Sequence, residues 1–134
     1  MNYGKWKLIF HEFAIFRTEP IQTLSDLSQI GSHNKREKKA YQSNPNIKLE
    51  LSSRNIEMVN CPNKYVKQFY ELTKEYKKEH DKRMETIRED RKKSFRKRVD
   101  DSKSVVADEL LFTSDHTFFE DMKRKDIIEW ANTC

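Results

Sequence analysis

The stretch from Asn63 to Val99 does most to limit what this chain can become. Tyr65, Phe69, Leu72, Tyr76, Met84 and Ile87 recur at three- and four-residue spacing, with His80 where an apolar residue is missing. That periodicity predicts one long helix over 63–99, opened by Asn63 as its cap and carrying a narrow apolar stripe on an otherwise solvated surface. Glu71 and Glu75, with Lys74, Lys78 and Glu79 after them, offer i,i+3 and i,i+4 ion pairs that each add only tenths of a kcal/mol. Such a helix is first of all a structural arm. Its last third is Arg91-Lys92-Lys93-Ser94-Phe95-Arg96-Lys97-Arg98, a basic run with no acid in it and a single aromatic. The run suits a surface that tracks phosphates, and equally a solvated helix end favoured by the helix dipole. Asp100-Asp101-Ser102 closes the segment.

Composition narrows the rest. The chain has 134 residues, 35% of them apolar and 37% charged, so it fits one domain with a lean core. Its net charge is +5 and its pI about 9.1, a balance that attracts polyanions through phosphate neutralisation and counterion release. Cys61 and Cys134 form neither a disulfide framework nor a CxxC site, and a reducing cytoplasm is the expected compartment. Trp6, Leu8, Ile9, Phe10 and Phe13 are interrupted by His11 and Glu12, so no signal peptide or membrane span is expected.

The remaining segments read as mixed structure. Phe13-Ala14-Ile15-Phe16-Arg17 reads as a strand stopped by Glu19-Pro20. Thr23 or Ser25 can cap a helix bearing Leu24, Leu27 and Ile30; whether it breaks at Gly31 or runs on to Tyr41 is open. Residues 42–62 read as a loop with room for a short strand. Val105-Val106-Ala107 and Leu110-Leu111-Phe112 flank Asp108-Glu109, giving a second strand whose acid pair would be costly if buried unsatisfied. Cap-type Thr113-Ser114-Asp115 then leads into helix through Phe118, Phe119 and Met122, and Ile127, Ile128, Trp130 and Ala131 continue it.

Chemistry concentrates earlier, in Ile30-Gly31-Ser32-His33-Asn34-Lys35-Arg36-Glu37 and the charged residues up to Tyr41. An imidazole opens a patch holding Lys35, Arg36, Lys38 and Lys39. Asn44-Pro45-Asn46-Ile47 and Ser52-Ser53-Arg54-Asn55 add small hydrogen-bonding groups and another guanidinium. This set suits an anionic phosphodiester better than a core.

These residues resemble the first motif of MobV-type plasmid mobilisation relaxases, also called plasmid recombination (Pre/Mob) enzymes. That family opens with His-Asn-x-Arg, then Asn-x-Asp-Ile, then Ser-x-Ser-His-Leu-Asn. Val105 to Asp115, followed by Phe118-Phe119 and Trp130, is similar to its apolar strand ending in Thr-Ser-Asp. The resemblance covers most of residues 14–134. It implies an α+β fold: the N-terminal portion of an HUH-type relaxase domain, with few antiparallel strands packed with helices and one long charged helix. Residues 1–12 would be an N-terminal extension, and 13–134 a truncated relaxase domain lacking the C-terminal metal-binding segment.

The resemblance also implies roles. His33 matches the nucleophile that attacks the scissile phosphorus and holds the 5′ end as a phosphoramidate, for which neutral imidazole is available near neutral pH. Glu109 matches a carboxylate that orients the other ring nitrogen. Arg98 matches an arginine that clamps the phosphate. The next arginine of the pattern falls on Asp101, and Lys103 stands where an aspartate is expected. Asn34, Arg36, Lys38, Lys39, Arg54 and Arg96 would contact DNA. The full-length family uses a divalent metal, Mn or Mg, held by a His-x-Asp-Glu-x-Thr-Pro-His-x-His segment. This chain, whose histidines are His11, His33, His80 and His116, has no such segment, so no cofactor is expected in it and nicking by it alone is not. The expected partner is plasmid DNA, as a transfer-origin single strand or hairpin, and not a membrane. Two rivals are a stand-alone basic DNA-binding protein without catalysis and an interaction protein whose 63–99 helix docks on another chain.

Overall fold

A computed structural model describes residues 14–42, 44–114 and 116–134, so the expected 1–12 extension and Asp115 lie outside it. The chain is α+β. Its elements are β1 (Ala14–Ile21), α1 (Leu24–Asn34), α2 (Tyr65–Leu72), α3 (Lys74–Glu85), α4 (Phe95–Ser102), β2 (Ala107–Ser114), α5 (His116–Glu120) and α6 (Arg124–Thr133). Short 3₁₀ turns occupy Leu49–Arg54 and Glu89–Arg91. No helix among the described residues is long and apolar enough to cross a membrane.

β1 and β2 form a two-stranded antiparallel sheet. Val106 N donates to the Ile21 carbonyl at 2.8 Å near one end, and the Phe16 and Phe112 rings meet at 4.8 Å near the other. β1 does not stop at Glu19-Pro20 as expected. In a two-stranded sheet each strand is an edge, and an edge tolerates a proline that donates no hydrogen bond. The costly acid pair also proves cheap, because Asp108 is exposed and Glu109 only half-buried.

The described residues divide into two compact units, 20–107 and a second unit made of the chain up to Glu19 together with Asp108–Cys134. In the first, the helical unit, Ile21, Leu24 and Leu27 form the buried core. Ile30, Tyr65, Val66, Phe69, Tyr70, Val99, Val106 and Ala107 pack against it. α1 lies against α2 and α4, and α3 against the same two helices. Thr23 caps α1 by accepting from Asp26 N at 3.1 Å. The Asp100 carboxylate, reaching over from α4, accepts from Leu24 N at 2.9 Å and satisfies a second first-turn donor.

The single helix over 63–99 is not found. The Thr73 backbone N–H and its hydroxyl both bond the Phe69 carbonyl, at 3.0 and 2.7 Å, and the helix axis is interrupted there. Lys64, not Asn63, precedes the first turn. Leu72 and Tyr76, expected on a continuous stripe, are 75% and 69% exposed. Val66 and Tyr70 pack in their stead. α3 ends at Glu85, and the chain turns back to lay α4 beside it.

His80 fastens that return. It is 2% exposed, its ring meets Phe95 at 5.7 Å, and its Nε2 lies 2.8 Å from the Lys93 carbonyl. A carbonyl can only accept, so this ring carries a proton on Nε2. The imidazole at the gap in the stripe joins α3 to the entry of α4.

In the second unit, Phe118, Phe119 and Trp130 make a small aromatic cluster, with ring centroids 4.8 to 5.9 Å apart. At the start of α6 the Asp126 carboxylate accepts from Lys123 N at 3.1 Å, and Asp126 N donates to the Lys123 carbonyl at 2.8 Å.

Candidate nucleic-acid interface

α1 does not break at Gly31. It runs to Asn34, and the glycine is there for space: a Cβ at residue 31 would come within 3.2 Å of the Tyr65 ring on α2. Close approach of the two helices therefore fixes the last turn of α1, which carries His33. Past Asn34 the chain turns through Arg36, whose φ of 54° lies in the left-handed region and strains a side-chain-bearing residue. Arg36 N donates to the His33 carbonyl at 3.2 Å, and the Arg36 guanidinium donates to the same oxygen.

Lys35 leaves the expected cationic patch. Its ammonium donates to the Cys61 carbonyl and, at 3.3 Å, to that of Asn63, and it sits 5.8 Å from the Tyr65 ring centre. The charge ties the motif to the entry of α2.

Asn34, Lys35 and Arg36 line a cleft of about 570 Å³ together with Ser52, Asn55, Ile56, Glu57, Met58 and Tyr65. The 3₁₀ turn Leu49–Arg54 carries Ser52 of the second motif, and Asn55 is its C-cap. Sequence-predicted Asn34 and Arg36 thus share a cleft with Ser52 and Asn55 of the later motif. Ile56 and Met58, which sequence reasoning did not single out, and Tyr65, expected only on the helical stripe, add apolar groups to it. A run of letters such as Arg54-Asn55-Ile56-Glu57-Met58 carries no periodicity that would have marked it.

The other expected contacts are dispersed. Lys38 and Lys39 are exposed on the loop after α1, Arg54 is exposed at the end of the 3₁₀ turn, and Arg96 and Arg98 are exposed on α4. Glu109 stands on β2, half-buried, in the second unit. Asp101, where the family pattern has arginine, binds Lys93 at 2.7 Å and Lys97 at 3.3 Å. Hydrogen bonds from Lys93 and then Lys97 hold the Asp101 carboxyl below its usual 3.8. All three lysines of the basic run are thereby paired with carboxylates that flank it, since Lys92 pairs with Glu89 as well.

Among the described residues no three His, Cys, Asp or Glu side chains gather as a metal site. His80 is committed to the Lys93 carbonyl. The described side chains do not fit the three-imidazole metal that the family resemblance implies.

Compared with known proteins, the chain matches no family model, no curated sequence and no solved structure.

Proposed function

We propose that the chain is the DNA-binding N-terminal portion of a plasmid mobilisation or recombination relaxase of HUH type. In the complete form, His33 would cut one strand at a transfer origin by transesterification. The observation that carries this reading is the cleft that Asn34 and Arg36, which follow His33 in the chain, line together with Ser52 and Asn55. It joins planar guanidinium and amide donors, suited to phosphate, with an apolar side formed by Ile56, Met58 and Tyr65.

In that reading Arg36 and Asn34 hold a phosphodiester at the end of α1, with Lys38, Lys39, Arg54 and Arg96 tracking the flanking backbone and Arg98 clamping the scissile phosphate. A neutral His33 nitrogen bonds to phosphorus, the P–O3′ bond breaks, and the 3′ oxygen leaves with the electron pair. No step passes through a metal held by this chain, so binding, not turnover, is its expected activity.

Fluorescence anisotropy with labelled oligonucleotides tests the reading. A transfer-origin hairpin should bind more tightly than a scrambled single strand, with log K falling by about 0.7 per neutralised phosphate for each log unit of salt. Equal affinity for both would leave a basic DNA-binding protein without relaxase kinship. Binding indifferent to salt would reject the phosphate cleft altogether.

A further inference from the structure

The loop that leaves α1 returns to it through one side chain. The Tyr41 hydroxyl donates to the Ser32 carbonyl at 3.3 Å and accepts from Lys38 N at 3.2 Å. Glu37 N donates to the same Ser32 carbonyl at 3.0 Å, and the Glu37 carboxylate takes the Ser32 hydroxyl at 3.1 Å. The neighbouring acid is therefore occupied on the loop itself. The phenol ring is left facing the two groups that matter. The His33 imidazole meets it edge-on, with centroids 5.4 Å apart and planes at 87°, and the Arg36 guanidinium lies 5.8 Å from its centre.

We propose that Tyr41 is the positioning residue of this site, one ring that sets the attitude of both the His33 imidazole and the Arg36 guanidinium toward a phosphodiester. The inference rests on the reading of the cleft lined by Asn34 and Arg36, next to His33 in the chain, as a phosphate-binding surface. Its physical content is pre-organisation: a side chain already held in its bound orientation loses less rotamer freedom when the ligand arrives. An aromatic face can do this without taking the donors. The guanidinium gives its Nη1 to the His33 carbonyl, and its contact with Tyr41 is through the π face, which leaves the rest of the fork for phosphate oxygens. Lys35 is the counter-example two residues from the imidazole. Backbone carbonyls hold it, and its ammonium donors point at them. A tyrosine holds a cation and leaves it usable; carbonyls hold a cation and use it up.

The test separates the ring from the hydroxyl and the ring's role from the function. Tyr41→Phe keeps the ring and drops both hydroxyl bonds, whereas Tyr41→Leu removes the ring. With a labelled single-stranded hairpin oligonucleotide, Tyr41→Phe should bind within about twofold of the unchanged protein and Tyr41→Leu about tenfold more weakly. Its salt slope should also be shallower by about 0.7, the signature of one lost phosphate contact. In the unchanged protein, nuclear Overhauser contacts should link the His33 and Tyr41 ring protons. Missing ring contacts, unaltered binding by Tyr41→Leu, or an equal loss in Tyr41→Phe would each overturn the proposal. If Tyr41→Leu does not fold, the wild-type ring contacts and the Tyr41→Phe affinity decide by the same criteria. If the unchanged protein shows no salt-dependent oligonucleotide binding, the proposed function fails, and the nuclear Overhauser contacts alone judge whether Tyr41 holds the His33 ring, their absence overturning that role.

Discussion

The helical unit and the sheet unit answer the scarcity of apolar residues in opposite ways. The first concentrates them: Leu24 is fully buried, and Ile21 and Leu27 nearly so, with half-buried aromatics closing around them. The second leaves them outside. Phe16, Leu110, Leu111 and Phe112, all on its two strands, are 40% to 58% exposed. A two-stranded ribbon with apolar groups on successive residues has too little partner surface to cover both faces. Its own cohesion comes from the Phe118, Phe119 and Trp130 rings. A lean composition thus supports one complete core, and the strands carry the shortfall.

Substitutions can break this contrast, beginning with the largest effect. Leu24→Ala should destabilise the helical unit by about 3 kcal/mol in urea unfolding, the usual cost of a cavity at a sealed site. A loss under about 1 kcal/mol would show that the core is looser than its burial implies. His80→Leu keeps the bulk and abandons the Lys93 carbonyl, so about 2 kcal/mol should be lost. A neutral result would mean that water replaces the imidazole. Asp100→Ala removes the donor-satisfying carboxylate at Leu24 and should cost about 1 kcal/mol, with amide exchange quickening in the first turn of α1. On the strands, Leu111→Ala should change stability by no more than about 0.5 kcal/mol, and a cost like that of Leu24→Ala would erase the contrast.

The smallest effect is a pH dependence. Asp101 titrates below 3.8 because Lys93 and Lys97 bond its ionised form. Its contribution is therefore complete above that value and is lost as pH falls through the lowered one. The melting temperature of Asp101→Asn should lie slightly below that of the unchanged protein at about pH 5, and the gap should close toward about pH 3. A gap that widens on acidification would reverse the sign and exclude the lysine pairing as its cause.

Local chemistry made much of this legible. Thr23 caps α1 because its hydroxyl meets a first-turn amide, and Leu24 and Leu27 stand at core spacing, so helix and core could be read together. α6 followed from Ile127, Ile128 and Trp130 in the same way. The break at Thr73 could not be read, since the periodicity of Leu72 and Tyr76 is as good as that of residues that do pack. Only the return of α4 across α3, with His80 as its fastening, decides which apolar residues are covered. At the site, His33, Asn34 and Arg36 were visible as chemistry in one short run. The loss of Lys35 to the Cys61 and Asn63 carbonyls was not, because it depends on a loop some two dozen residues away.

Residue 31 has a consequence for how this surface can change. Because a lone hydrogen there lets two helices touch, the imidazole's address is inherited from the protein's interior. Loops around it could drift, lengthen or exchange their side chains and alter what the cleft prefers, while the ring two residues beyond that hydrogen would stay where the helices put it.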